Sequence, residues 1–219
     1  MLIVISDTLG GRMGAVLSAL IVVFCAVGLT MHKDFYAGSP RKGFFCFFTN
    51  LSNILCLVTW VLLIIRPNGF AKLHGMAAQA ILLTMVVFHT VLTSFNFTIV
   101  TRAQFNNHGV HTFVPLLMIV DFLFLRRRSR LRWYAPLIWT AAPLAYGVFA
   151  LLMPTLERQF FRGMTRYPYF FLNTGQGWLL RAPQGYEGVL LNGCVLLVAY
   201  IVAGYVMYGI YMLVRRLYK

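Results

Sequence analysis

Apolar residues along this chain gather into long runs, and most of the charge sits in the short stretches between them. Hydrocarbon about 30 Å thick takes roughly 20 apolar residues to cross as a helix, and only structures that satisfy their own backbone polar groups survive there. Six stretches meet that requirement: Gly10 to Thr30, Phe44 to Ile65, Met76 to Thr98, Gly109 to Leu125, Tyr134 to Met153 and Gly188 to Val214. The pattern predicts an all-α polytopic membrane protein, a bundle of six transmembrane helices forming a single domain over residues 1–219. The first stretch has a small-residue pair, Ala26 and Gly28, of the kind found at signal cleavage sites. Its length and the preceding Asp7 favour a retained helix.

Composition agrees with this pattern. The chain is 60% hydrophobic and 11% charged, where soluble domains carry about a quarter charged residues. Formal charge is +14, from 19 Lys and Arg against 5 acids. In a soluble protein that excess would suggest nucleic acid. Here the basic residues occupy the gaps between apolar runs, where cytoplasmic loops collect them, so anionic lipid headgroups are the expected partner and nucleic acid is not. The four cysteines, Cys25, Cys46, Cys56 and Cys194, show no paired spacing and lie in or at the edge of apolar runs.

The basic loops also set an orientation. Arg126, Arg127, Arg128, Arg130 and Arg132 separate the fourth and fifth spans, which makes that loop cytoplasmic. With six spans both termini are then cytoplasmic, in keeping with Arg215, Arg216 and Lys219 after the last span, and the destination is a cell membrane. The segments His32 to Gly43, Ile99 to His108 and Pro154 to Glu187 face outward. The last is long and aromatic, with Tyr167, Tyr169, Phe170, Phe171, Trp178 and Tyr186. It either anchors at headgroup level or covers a site.

Ionisable groups inside spans are costly and usually face protein, so each is a functional candidate. By this reading they are His89 in the third span, His111 near the outer end of the fourth, and Asp121 deep in the fourth. The second span adds a polar stripe, since Thr49, Ser52, Asn53 and Cys56 share one helical face. Its bland explanation is that Thr49 and Ser52 bond back to carbonyls a turn earlier while Asn53 ties two helices together. Depth suggests more. Counted from the outer ends of their spans, Thr49 and His111 differ in level by only about 5 Å, so hydroxyl and imidazole can meet. His89 at about 14 Å and Asp121 at about 18 Å lie too deep to touch that pair directly, and Asp121 is expected to pair with another helix. His108 and His111 stand three apart and begin a metal-like spacing, but no carboxylate or cysteine joins them at that level, so no metal is expected.

Three blocks of sequence are similar to a known family. FFTNLSNIL from Phe47 to Leu55, NHGVHTFVPLLMIVD from Asn107 to Asp121 and RYPYFFLN from Arg166 to Asn173 resemble the androgen-induced integral membrane hydrolases and, more closely, their prokaryotic six-transmembrane relatives. The resemblance implies a membrane-embedded threonine hydrolase of lipid esters, with a threonine on the second helix attacking and a histidine on the fourth assisting. The matching positions are Thr49 and His111. The roles are chemically sound, because a hydroxyl attacks well only while a neighbouring base takes its proton. Asn50, Asn53 or Asn107 are possible oxyanion donors, with His108, His89, Asp121, Tyr167 and Tyr169 as supporting or substrate-binding residues. No cofactor is called for, and the expected substrate is a fatty-acyl ester reached from the surrounding lipid. The competing reading is a non-catalytic transporter, lipid-binding protein or scaffold whose polar stripe lines a path.

Overall fold

The computed structural model describes residues 16, 19–23, 25–26, 28–29, 42–66, 69–92, 99, 101–125, 131–156, 167–174 and 185–217. Most of the first expected span, the arginine run 126–130 and most of the two flanks of the aromatic segment lie outside them. Among the described residues the structure is helical, with no strand. Residues 16, 19–23, 25–26 and 28–29 are helical and are called α1. A 3-10 turn, Lys42–Cys46, leads into α2, Phe48–Ile65. Helix α3 is Ala71–Val87 extended by a π-turn, Phe88–Leu92. Helix α4 starts with Arg102–His108 and ends with Asp121–Leu125. Helix α5 comprises Ala135–Trp139 and, after a break at Thr140, Ala141–Leu156. Helix α6 is Tyr186–Leu217.

Five helices, α2 to α6, are long and apolar enough to cross a membrane. Two of them begin earlier than hydropathy alone suggests. Helix α4 starts at Arg102 rather than Gly109, because Thr101 and Gln104 form a capping box that satisfies free N–H groups on the polar first turn. Helix α3 starts at Ala71 rather than Met76, entered through Phe70 in a left-handed conformation at φ 56°.

Helix α3 touches α2, α4, α5 and α6 and so organises the packing. Its sequence explains why. Gly75, Ala77, Ala78 and Ala80 are small and buried, which lets neighbouring helices come close. At Gly75 a Cβ would stand only 2.2 Å from the Trp139 ring, so α5 seats its indole on bare backbone. At Gly204 a Cβ would meet the Gln79 amide at 2.5 Å, and Gln79 Nε2 donates to Tyr200 O at 2.6 Å, joining α3 to α6. On α1, Ile21 and Cys25 join the core with Trp60, Met118 and Phe122. A Cβ at Gly28 would meet the Val110 side chain at 3.0 Å, which sets α1 close beside α4 next to His111.

Three π-turns interrupt this regularity: Phe88–Leu92, Gly109–Phe113 and Asp121–Leu125. Each carries one of the ionisable residues singled out in the sequence, His89, His111 and Asp121 in turn. The middle one has a local cause. Pro115 has no N–H to give to the preceding turn and its ring crowds the carbonyl four residues back, so the ladder widens and Val114 N–H reaches back to Gly109 O.

Candidate functional site

The polar stripe of α2 is buried as its spacing predicts: Thr49, Ser52, Asn53 and Cys56 are between 0% and 8% exposed. Its members do different things. Ser52 Oγ lies 3.0 Å from Thr49 O, a bond back along its own helix, and 2.8 Å from the Thr84 hydroxyl on α3. Asn53 uses Nδ2 twice, donating to Thr49 O at 2.8 Å and across to Val110 O on α4 at 3.1 Å. Those two residues behave as interhelical glue. Thr49 does not: its Oγ1 lies 3.3 Å from His111 Nε2.

The proton arrangement at His111 follows from its other nitrogen. His111 Nδ1 lies 2.8 Å from Asn107 O, and a carbonyl can only accept, so Nδ1 carries the hydrogen. In the neutral ring Nε2 is then a lone pair, and Thr49 donates its hydroxyl proton to it. Asn107 therefore contributes its main-chain carbonyl, while its side chain is exposed. The ring is also held from one face, stacked on Phe88 with centroids 4.0 Å apart and planes at 20°. Asn53 bonds the backbones of Thr49 and Val110 together, which fixes the distance between the helices that carry the two side chains.

His89 and His108 stand beside this pair. The Thr112 hydroxyl lies between them, 2.9 Å from His89 Nε2 and 3.2 Å from His108 Nδ1. Their rings stack at 6.0 Å, and Phe88 meets both edge to face. His89 stands at the level of His108 and Thr112 and borders the dyad's support through Phe88, so it is not at the greater depth expected from counting along its span. No group of three or more potential metal ligands forms among the described residues.

Asn50 is buried at 2% exposure and donates Nδ2 to Phe44 O at 2.8 Å, tying the start of α2 to the preceding 3-10 turn. Tyr146 on α5 closes the same turn by donating to Cys46 O at 2.8 Å. The buried Oδ1 atoms of Asn50 and Asn53 accept no hydrogen bond among the described residues.

The aromatic segment arrives over this end of α2. Residues 167–169 precede a short 3-10 turn, Phe170–Leu172, and Asn192 on α6 donates to Phe171 O at 3.4 Å. Tyr169 packs edge to face on Phe47 at 5.9 Å and stacks on Phe171 at 5.1 Å. Burial pushes its phenol above the usual tyrosine range, partly offset by hydrogen bonding to the Thr49 side chain and to the backbone of Thr49 and Phe48. Tyr167, two residues earlier, is half-buried.

Asp121 belongs to a separate cluster. It is fully buried, accepts from Trp60 Nε1 at 3.1 Å and faces His74 Nε2 at 3.4 Å. His74 is a residue the sequence reading passed over, because it lies ahead of Met76 where the span was expected to start. The signal that would have included it is its position on α3's apolar register with Ala77, Ala78 and Ile81, all buried with it.

No family model, curated protein or solved structure matches the chain. What the site can do must be read from its own geometry. A hydroxyl faces the unprotonated nitrogen of an oriented imidazole, which is the arrangement of a nucleophile with its general base.

Proposed function

We propose that this protein is a membrane-embedded hydrolase of lipid esters, in which Thr49 attacks and His111 serves as base. The observation that carries the reading is the Thr49 to His111 contact, with the histidine tautomer set by Asn107 O. Ser52 and Asn53, on the same stripe, are bonded into the scaffold, whereas Thr49 is aimed at an imidazole. The three sequence blocks that resemble the androgen-induced membrane hydrolases point to the same residues in the same roles.

Chemistry proceeds in two halves. Thr49 Oγ1 bonds to the ester carbonyl carbon as its proton passes to His111 Nε2, and the carbonyl electron pair moves onto oxygen. Collapse of that tetrahedral species expels the alcohol, which takes the proton back from His111 and leaves an acyl-threonine. Water then repeats the sequence, with His111 again accepting the proton, and the free acid departs. Serine-type triads use a carboxylate to hold the base. Here a neutral carbonyl does so, making a dyad.

In its setting, the reading includes six crossings with α1 as the first, both termini cytoplasmic and the Thr49 end at the outer face. Membrane lipids are then both solvent and source of substrate, an acyl ester entering sideways while water arrives from outside. Incubation of the purified protein with a fluorophosphonate probe and with a generic fatty-acyl ester tests it. Labelling and hydrolysis should disappear in both Thr49→Ala and His111→Ala with the fold intact. Normal labelling and turnover in either variant would dismiss the dyad. Binding of lipid without turnover in the wild type would favour a lipid-binding protein instead.

A further inference from the structure

Helices α3 and α5 both begin at the face of the bundle opposite Thr49, and the seat of Trp139 on Gly75 sets their first turns against each other. Lys72 lies one turn before Gly75, and Tyr134 stands just ahead of α5, so both arrive at that corner. Lys72 Nζ is 6.0 Å from the centre of the Tyr134 ring. Arg132 approaches the same ring, with Cζ 5.8 Å from the centre and Nη1 donating to the phenol oxygen at 3.0 Å. The turn that presents Arg132 and Tyr134 is closed by Ala135 N–H on Arg132 O at 2.9 Å. Just ahead of it, buried Leu131 is held to α6 by the Tyr208 hydroxyl, which donates to Leu131 O at 3.4 Å.

Two cations gathered on one ring repel each other, and both of these are exposed. Neither segment that carries them, 66–72 or 126–134, contains an acid. Asp121, the acid nearest to them in the sequence, is fully buried against Trp60 and His74. The corner is therefore built to receive an external anion.

We propose that Lys72, Arg132 and Tyr134 bind the phosphate of an anionic lipid headgroup. Arg132 offers a planar fork matched to phosphate oxygens and Lys72 a point charge. The phenol accepts from Arg132, which leaves its own hydrogen to give to the same phosphate. The flanks suit a lipid better than free phosphate. Trp133 is 66% exposed and Phe70 42% exposed, one on each segment, and aromatics of this kind lie at headgroup depth beside acyl chains. The site depends on neither Thr49 nor His111.

The test uses the full-length protein in neutral detergent micelles, with native mass spectrometry counting bound molecules during titration with dioleoyl phosphatidylglycerol, dioleoyl phosphatidylcholine or inorganic phosphate. Wild type should hold one phosphatidylglycerol more tightly than phosphatidylcholine. Lys72→Gln combined with Arg132→Gln should weaken that lipid about 30-fold, the factor for two cations beside anionic lipid, and leave phosphatidylcholine binding unchanged. Tyr134→Phe keeps the ring and loses one hydrogen bond, for a loss of about fivefold. Arg215→Gln combined with Arg216→Gln removes the same charge from α6 two turns beyond Tyr208. That pair should cost about threefold or less, because salt screens charges more than about 10 Å apart. Equal losses in the two paired variants overturn the proposal, since the whole basic face then attracts lipid without a site. Wild type that binds phosphatidylglycerol no more tightly than phosphatidylcholine overturns it too. Inorganic phosphate bound as tightly as the lipid, and lost in Lys72→Gln with Arg132→Gln, replaces the headgroup with a soluble anion. If the paired variant fails to fold, Lys72→Gln alone should weaken the lipid about fivefold, and an unchanged affinity there overturns the assignment.

Discussion

The Thr49 end and the Asp121 end of these helices use the same three elements, α2, α3 and α4, to bury polar groups, and they do so in opposite styles. At the Asp121 end a carboxylate takes an indole N–H and an imidazole, and the group is fully buried and ringed by aromatics, with Phe122 edge-on to His74 and stacked on Tyr211. At the Thr49 end the pair is 8% exposed, two asparagine oxygens are unsatisfied, and the aromatic segment lies over it. A buried polar group alone is weak evidence of activity, because a fully buried cluster can serve only to join helices. A hydroxyl facing the lone pair of an oriented imidazole is the better sign.

Mutations at the two ends should therefore separate activity from stability. The largest effect is expected in Thr49→Ala and His111→Ala: ester hydrolysis falls by about 10³-fold or more, while the unfolding midpoint in mixed micelles stays near that of wild type. Asp121→Ala should do the reverse. Leaving a buried partner uncompensated costs about 3–5 kcal/mol, read from a denaturant titration, with turnover per folded molecule preserved. A stable Asp121→Ala protein that has lost turnover would break the division and join the two ends into one site. Asn53→Ala is intermediate, since it removes both of the bonds that hold Thr49 and Val110 together. A loss of about 1–3 kcal/mol accompanied by slower hydrolysis is expected, and slower hydrolysis without destabilisation would sharpen its role into pure positioning. The smallest effect belongs to Ser52→Ala, worth at most about 1–2 kcal/mol with turnover unchanged; a large rate loss there would show that the stripe acts as more than glue below Thr49.

Much of this was legible in the chain. The polar face of α2 follows from 3.6-residue spacing; the contact of Thr49 with His111 does not follow from counting down the spans, because α4 starts at Arg102 and not at the Gly109 from which the count began. Other features were hidden for physical reasons. Hydropathy does not register the polar turn Arg102–His108 as helix, although the Thr101 and Gln104 cap announces it. His74 fell outside the span for the same reason. The part played by Asn107 resides in a main-chain carbonyl, which any residue would supply, so no side chain advertises it. Tyr169 is named from the sequence as a supporting residue, but its place on Phe47 at the start of α2 was hidden, because it depends on how a long connecting segment folds back.

The π-turns on α4 have one more consequence. Successive residues of an α-helix advance by about 100° around the axis, and a π-turn accommodates an added residue, so everything beyond it is rotated relative to a regular helix. With Gly109–Phe113 above and Asp121–Leu125 below, α4 is phased like a crankshaft. The direction in which His111 points and the direction in which the residues beyond Asp121 point are set by different turns. A change of one residue in length at either turn would re-aim one throw of the shaft while the other kept its bearing.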